Sequence, residues 1–140
     1  MRAKDVYTDI AQRYIASAKQ LVSDENGTQE VIGFLTYHAL ESIGTAVIVH
    51  YNSSIPVNHE TKLNMFLSLC KKHLSRVVNI HLVATTITTM VNSDYRSKFL
   101  YPEYQNAKIR KAPKEQITMT EVRLLIQDVD RIINQIVNAI

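Results

Sequence analysis

Apolar residues recur every three or four positions along most of this chain, which is the spacing of one face of an α-helix. The first stripe predicts a helix from Lys4 to Val22. The polar run from Asp24 to Gly27 predicts the end of that helix, because Asn26 and Gly27 suit the left-handed conformation in which helices commonly stop. The chain is therefore expected to begin with an amphipathic helix.

The second helical segment, Gln29 to Tyr51, is apolar on most of its faces, which is typical of the central helix of a bundle. Gly33 and Gly44 each cost about 1 kcal/mol of helix propensity relative to alanine, so we expect another helix to approach closely there. The apolar run Val31–Tyr51 is nearly long enough to span a membrane. It nevertheless contains His38, Glu41 and His50. Their presence favours a buried core helix over a membrane span.

A third helix is predicted to start near Asn58, after the turn that ends at Pro56, and to run through Cys70. The block from Leu74 to Val91 is rich in Val, Ile and Thr, which favour strands. Its apolar residues nevertheless keep the helical spacing from Val77 onward. We therefore predict a fourth helix over this block that continues to Phe99.

The stretch from Tyr101 to Gln116 is predicted to be a long, basic, irregular loop. Thr118 and Glu121 then form a Ser/Thr-x-x-Glu capping box, and a last helix with near-heptad spacing follows. The chain has 140 residues but only three glycines and three prolines, too few for an all-β fold. The expected fold is all-α, a single domain over residues 1–140. We predict an antiparallel up-and-down four-helix bundle with an additional C-terminal helix.

The cysteine content indicates the compartment of the protein, and the charge distribution indicates a possible binding segment. The only cysteine, Cys70, excludes an intramolecular disulfide and suits a reducing cytoplasm, and we expect it to be a buried apolar residue. The first twenty residues lack the apolar segment of a signal peptide.

The net charge is +3, yet six basic residues and only one acid lie between Arg96 and Lys114. Because aromatic residues are interleaved there, this segment could bind phosphates and stack bases.

Three local patterns occur in a fixed order along the first half of the chain. They are Ala16-Ser-Ala-Lys-Gln-Leu21, then Phe34-Leu-Thr-Tyr-His-Ala-Leu-Glu41, then Pro56-Val-Asn-His59 leading into Leu63 and Phe66. This order resembles the HEPN superfamily, whose members are small all-helical domains found beside nucleotidyltransferases, in toxin–antitoxin pairs and in RNA-cleaving defence proteins. The resemblance covers roughly residues 5–137 and implies a homodimer, with a nucleotidyltransferase as a partner protein.

In catalytic HEPN members, an R-x4–6-H motif near the end of the fourth helix cleaves RNA, with histidine moving protons and arginine stabilising charge on the phosphate. Arg96 matches the arginine of this motif, but no histidine follows it within seven residues. Arg76 and His81 match the motif literally, yet about twenty residues too early. On one continuous helix their side chains would point about 140° apart. All three are therefore weak catalytic candidates.

Two other histidines have alternative interpretations. His38 lies in the middle of an apolar helix, where it could be buried and hydrogen-bonded to Glu41 or Tyr14, or could line a ligand cleft opposite Arg96. His59 is expected to cap or brace the third helix. No set of His, Cys, Asp and Glu has the helix-face spacing of a metal site, so we expect neither a metal nor a cofactor.

The function that the sequence favours is binding of a nucleotide or RNA by a cytoplasmic, HEPN-like homodimer that is not itself catalytic. It would form one half of a nucleotidyltransferase or toxin–antitoxin pair. The expected ligand-binding residues are His38, Arg96, Lys98, Tyr101, Lys108, Arg110 and Lys111. Two alternatives remain open, a metal-independent HEPN ribonuclease toxin and a protein-interaction bundle without a ligand.

Overall fold

The computed structural model describes residues 2–24 and 28–140, within which the chain forms an all-α helical bundle, as the sequence predicts. The helices are α1 Ala3–Asp24, α2 Gln29–His50, α3 His59–His73, α4 Ile80–Asn92, α5 Tyr95–Leu100 and α6 Met119–Ala139. Strands β1 Glu103–Gln105 and β2 Lys108–Lys111 and the 3-10 turn Pro113–Glu115 separate α5 from α6. The predicted helix stop at Asn26 and Gly27 lies outside the described residues.

Helix α2 is the centre of the bundle, and α1, α3, α5 and α6 pack around it. It is buried over most of its length from Ile32 to Ile48. By length and hydropathy alone α2 could cross a membrane, but 78% of its most apolar 18-residue window is buried inside the bundle. A core helix has this burial, so the apolar surface that the sequence displays on α2 is covered within the chain.

Helices α2 and α3 run in the same direction, which is a departure from a simple up-and-down order. Glu41 on α2 contacts Lys62 near the start of α3, whereas Tyr51, directly after α2, stacks on His73 at the end of α3. The segment 51–58 must therefore return along the bundle before α3 begins. This return places the first turn of α3 beside the middle of α2, where the candidate site lies.

The two glycines of α2 lie where the backbone is closely approached by phenylalanine rings, as expected. A Cβ atom at Gly44 would lie 2.9 Å from a ring carbon of Phe66, which is fully buried. A Cβ atom at Gly33 would lie 2.5 Å from the ring of Phe99 on α5. Both distances are shorter than carbon atoms tolerate, so the glycines allow α3 and α5 to pack directly on α2.

The fourth helix begins later than the sequence predicts and ends earlier. Asn79 caps it, because its side-chain oxygen accepts a hydrogen bond from the backbone N–H of Leu82 at 3.0 Å. The residues from Leu74 to Val78 form a turn instead, and Val77 is 59% exposed. The helix stops at Asn92, because Asp94 takes a left-handed conformation with φ of 49°. Helix α5 is therefore a separate element.

The predicted irregular loop from Tyr101 to Gln116 is instead largely an antiparallel β-hairpin, which we call the hairpin (Glu103–Lys111). Its two-residue turn has positive φ at both Asn106 (51°) and Ala107 (63°). This is the pattern of a type I′ turn, whose twist matches that of the flanking strands. The prediction was wrong because the strands are short and polar and the turn lacks the usual glycine.

Two further predictions are confirmed. The capping box of α6 is formed, with Thr118 Oγ1 accepting from the backbone N–H of Glu121 at 3.1 Å and Glu121 Oε1 accepting from the N–H of Thr118 at 3.3 Å. Cys70 is fully buried, and burial raises the pKa of its thiol to about 12. A thiol with so high a pKa is not a ready nucleophile.

The Gly44→Ala variant tests the packing of α3 on α2. The added methyl group gains about 1 kcal/mol of helix propensity, but it would lie 2.9 Å from the ring of Phe66, which is fully buried. We expect the free energy of unfolding to fall by roughly 1 to 2 kcal/mol, as in other overpacked cores. Chemical denaturation measures this change. Ser17→Ala, on an exposed position of α1, gains helix propensity without a collision and should be neutral or stabilising. Stabilisation by Gly44→Ala would contradict the close approach.

Candidate functional site

A cavity of about 240 Å³ opens where α2, the start of α3, the end of α4 and α5 meet, and we call it the cleft. Its inner end contains the buried side chains of Tyr37 and Met90, and its rim contains exposed polar groups. The lining residues are Tyr37, Asn58, His59, Glu60, Met90, Val91, Asp94, Arg96 and Ser97. The cleft thus combines an apolar floor with groups of both charges.

Behind one wall of the cleft lies the buried carboxylate of Glu41, whose side chain is only 8% exposed. It accepts a hydrogen bond from Lys62 Nζ at 2.9 Å and from His59 Nδ1 at 2.8 Å. A buried charge is tolerated when it is paired and hydrogen-bonded in this way. Glu41 therefore fixes two side chains of α3 to the middle of α2.

The electrostatics of this cluster follow from burial and pairing. Burial alone would raise the pKa of the Glu41 carboxyl group, but the hydrogen bonds from Lys62 and His59 outweigh burial, so its pKa lies below the ordinary 4.5. Burial, and then the neighbouring Glu41 carboxylate, raises the pKa of Tyr37 above its ordinary value. At neutral pH the cleft therefore has a neutral phenol at its floor and an ionised carboxylate behind its wall.

His59 is oriented by its own helix as well as by Glu41. The Asn58 side chain accepts a hydrogen bond from the backbone N–H of Thr61 at 3.0 Å and so caps α3, which places His59 at the first helical position. Its Nδ1 is held by Glu41 while the side chain remains 41% exposed, so Nε2 can reach a ligand. The prediction that His59 braces α3 is confirmed; that it also lines the cleft was not anticipated.

The facing wall of the cleft is formed by α5 and the turn before it. The left-handed conformation of Asp94 turns the chain sharply between α4 and α5, so that Arg96 and Ser97 face the cleft. Within residues 2–24 and 28–140, the side chain of Arg96 makes no hydrogen bond or ion pair. Its guanidinium group is therefore available to an anion.

A second cavity, about 410 Å³, adjoins the cleft and leads toward the hairpin; we call it the groove. It shares Asp94 and Ser97 with the cleft. Its lining is Asp94, Ser97, Lys98, Tyr101, Pro102, Glu103 and Gln116. Gln116 Nε2 donates to the carbonyl oxygen of Tyr101 at 2.7 Å and so ties the segment after the hairpin back to the end of α5. Cleft, groove and hairpin therefore form one continuous surface.

The structure places most of the predicted ligand-binding residues along this surface. Lys98 and Tyr101 line the groove, and Arg96 lines the cleft. Lys108, Arg110 and Lys111 are exposed on the hairpin, where Arg110 is paired with Glu103 at 3.1 Å. The hairpin also exposes Tyr104 and Ile109. Basic and aromatic groups thus alternate here, as the sequence suggested.

His38 does not lie opposite Arg96, so this part of the prediction was wrong. It is half-buried against α1, with its ring centroid 4.6 Å from that of Tyr14 and 6.1 Å from that of Phe34. The carboxylate of Glu41, its expected partner, bonds to His59 instead. One residue earlier on the helix, Tyr37 points into the cleft. Because neighbouring helical residues differ by about 100° in direction, only one of them can face the ligand.

Arg76 and His81 do not lie on one continuous helix, contrary to the sequence-based expectation. Arg76 belongs to the turn before α4, and His81 is in the first turn of α4. Both side chains are exposed, and neither lines the cleft or the groove. The literal R-x4-H match therefore has no part in either cavity.

The described part of the chain contains no group of three or more His, Cys, Asp and Glu side chains that could hold a metal ion.

Comparison with protein-family models, with curated proteins and with solved structures yields no match. The HEPN resemblance therefore rests on the sequence patterns given above alone.

The sequence contains one indication of the cluster formed by Glu41, His59 and Lys62 that the predictions above do not use. A glutamate within an otherwise apolar central helix must be paired if it is buried. Its partners, however, lie 18 and 21 positions away on another helix. Which residues of α3 can reach Glu41 depends on the direction in which α3 runs, and the periodicity of apolar residues does not predict that direction.

The Glu41→Gln variant tests whether this cluster holds α3 in place. Removing a buried charge leaves Lys62 without its partner, and we expect the free energy of unfolding at pH 7 to fall by about 3 kcal/mol. Asp9→Asn, in an exposed pair with Arg13 (side chains 62% and 79% exposed), should change little. If Glu41→Gln changes the free energy of unfolding as little as Asp9→Asn does, the contacts of Glu41 with Lys62 and His59 do not hold α3 in place.

The effect of Glu41→Gln on the free energy of unfolding should depend on pH. The pKa of Glu41 is lower in the folded chain than its ordinary 4.5, so the stabilisation is fully present above pH 4.5 and is lost as pH falls through the folded-state pKa. The difference in unfolding free energy between wild type and Glu41→Gln should thus shrink below pH 4.5. Denaturant titrations at several pH values measure it, and a difference that grows on acidification would contradict the assignment.

Proposed function

We propose that this chain is a HEPN-like helical bundle that binds a nucleotide or RNA through the cleft, the groove and the hairpin. The observation that carries the proposal is the juxtaposition of His59 and Arg96, which come from α3 and α5 and line one cavity. Arginine is suited to phosphate because its guanidinium group donates two parallel hydrogen bonds.

The hairpin extends this binding surface. Its exposed lysines could contact successive phosphates, and exposed Tyr101 and Tyr104 offer faces on which bases can stack. Because the groove connects the hairpin to the cleft, a strand of RNA could lie along both. We assign Arg96 to phosphate contact in the cleft, and Lys98, Lys108, Arg110 and Lys111 to contacts beyond it.

The assembly is proposed from the resemblance alone. A homodimer and a nucleotidyltransferase partner are what the HEPN resemblance implies for this chain, and a cytoplasmic location is proposed from its single cysteine. The apolar surface of α2 is covered by the chain's own helices, so it is not an argument for a dimer. Light scattering of the purified protein would decide the oligomeric state.

A metal-independent ribonuclease is the second candidate function, and the Glu41–His59 pair favours it. A histidine that is oriented by a buried carboxylate and exposes its other nitrogen resembles a general base. In such a reaction the 2′-oxygen of RNA would attack the adjacent phosphorus as His59 Nε2 takes its proton. The bond to the 5′-oxygen would break, leaving a 2′,3′-cyclic phosphate and, once that oxygen takes a proton from water, a 5′-hydroxyl end. Arg96 would stabilise the charge on phosphorus.

The hairpin can be tested through the salt dependence of RNA binding. Removing one phosphate contact should reduce the magnitude of the log–log salt slope by about 0.7 to 0.9. The variant with Lys108, Arg110 and Lys111 changed to alanine should therefore bind RNA with a slope shallower by about two to three. Its melting temperature should hardly change, because these side chains are exposed.

The matched control removes three exposed basic residues far along the chain from the hairpin: Lys71, Lys72 and Arg76. Binding titrations at several salt concentrations should give this control a slope close to that of wild type. If the hairpin variant and the control have the same salt slope, the basic residues of the hairpin do not contact phosphates and are only exposed to solvent.

Cleavage separates the two candidate functions. We expect wild type to bind RNA and leave it intact, because one histidine in the cleft supplies only one of the two proton transfers that the reaction needs. Gel electrophoresis of end-labelled RNA after long incubation measures this. Cleavage that yields cyclic-phosphate ends and disappears in His59→Asn, but persists in His81→Asn, would replace the binding proposal with the ribonuclease.

A further inference from the structure

We infer that the cleft selects a terminal phosphate group, a phosphomonoester, over the internal phosphodiester of a continuing strand. The inference rests on the proposed function, because it concerns the ligand of the same cleft. Its basis is the arrangement of donors and carboxylates around the cavity.

Two side chains approach the cavity from different walls. His59 Nε2 comes from α3 and the Arg96 guanidinium group from α5. Because His59 Nδ1 donates its hydrogen to Glu41, Nε2 is the nitrogen that can share a proton with a ligand, while Arg96 donates hydrogen bonds. A terminal phosphate has three free oxygens and a second pKa of about 6, so it can bring a proton to Nε2. An internal phosphodiester has only two free oxygens and no such proton, so the two side chains are better matched to a terminal phosphate.

The buried Glu41 does not oppose an anion in the cleft as an isolated carboxylate would. Lys62 Nζ lies 2.9 Å from Glu41 Oε1, so the negative charge is compensated by a lysine whose side chain is only 15% exposed. Glu41 is thus free to hold His59 by Nδ1 without making the wall strongly negative. The role of Glu41 is to position His59, not to contact the ligand.

The rim of the cleft disfavours a continuing strand. Glu60 on α3 and Asp94 before α5 are exposed carboxylates that line the cavity. Within the described residues their side chains form no ion pair. Such charges repel every phosphate near the rim, of which a continuing strand brings more than a chain end does, and they could accept hydrogen bonds from the hydroxyl groups of a ribose.

The inner end of the cavity also favours a chain end. Tyr37 is 5% exposed and Met90 is 1% exposed, so the floor of the cavity is formed by side chains of the core. The groove, which shares Asp94 and Ser97 with the cleft, offers a path from the cavity toward the hairpin. A terminal phosphate could lie against this floor, with the remainder of the ligand extending along the groove.

Affinities of matched ligands test this inference. The probes are one short RNA prepared with a 5′-phosphate, with a 3′-phosphate or with hydroxyl groups at both ends, together with a free nucleoside monophosphate and its nucleoside. We expect at least one phosphorylated form to bind roughly tenfold or more tightly than its unphosphorylated counterpart, a typical gain for charge-assisted hydrogen bonds. Fluorescence anisotropy or calorimetry gives the dissociation constants.

The variants assign the preference to the cleft. Arg96→Gln and His59→Gln should reduce the preference for phosphate to about twofold or less, whereas Arg13→Gln, an exposed arginine of α1, should retain it. Because His59→Gln also alters the hydrogen bond to Glu41, its melting temperature is measured alongside. Arg96→Gln, which has no contact with Glu41 among the described hydrogen bonds, keeps the test decisive if His59→Gln unfolds.

The outcomes distinguish this inference from the proposed function. Equal binding of phosphorylated and unphosphorylated ligands would overturn the inference and leave RNA binding standing. Absence of binding to all the probes would overturn both. A terminal-phosphate preference that only the nucleoside monophosphate displays identifies a free nucleotide as the ligand. A preference that only the RNA displays, with weaker binding in the triple hairpin variant, identifies an RNA end.

Discussion

The candidate site depends on one buried carboxylate in the most buried helix of the bundle. Glu41 lies in the middle of α2, where an isolated charge would cost several kcal/mol. Lys62 and His59 remove that cost, and because both belong to the first turn of α3 they fix where α3 begins. Gly44 then lets the next turn of α3 pack directly on α2 through Phe66. The position of one cleft wall follows from these contacts.

The helices that bury a clear apolar stripe were predictable from the sequence. The predicted and observed bounds of α1, α2 and α6 agree closely, since periodicity and the Thr118 cap act within each segment. The errors lie where a local interaction overrides periodicity. Asn79 caps α4 well after the predicted start, and the left-handed Asp94 interrupts what the spacing predicts as a continuous helix. The hairpin was missed because its turn uses Asn106 and Ala107 rather than glycine.

The residues of the site were only partly predictable for a different reason. Arg96, Lys98 and Tyr101 were found because they lie together in sequence, within one basic segment. The Glu41–His59 contact joins two helices whose relative direction periodicity does not report. The choice between His38 and Tyr37 as the cleft residue depends on a rotation of about 100° around the axis of a helix that is apolar on nearly every face. Composition gives no information on that rotation.

The proposed ligand, a nucleotide or RNA, should bind in the cleft and along the groove to the hairpin. Amide chemical shifts of the ¹⁵N-labelled protein, followed during titration with a nucleoside monophosphate and with short RNA, test it most directly. The shifts should change at His59 and Glu60 on α3 and at Arg96 and Ser97 on α5, and RNA should extend the changes into the hairpin. Changes confined to α1 and the exposed face of α6, or none at millimolar ligand, would contradict the claim.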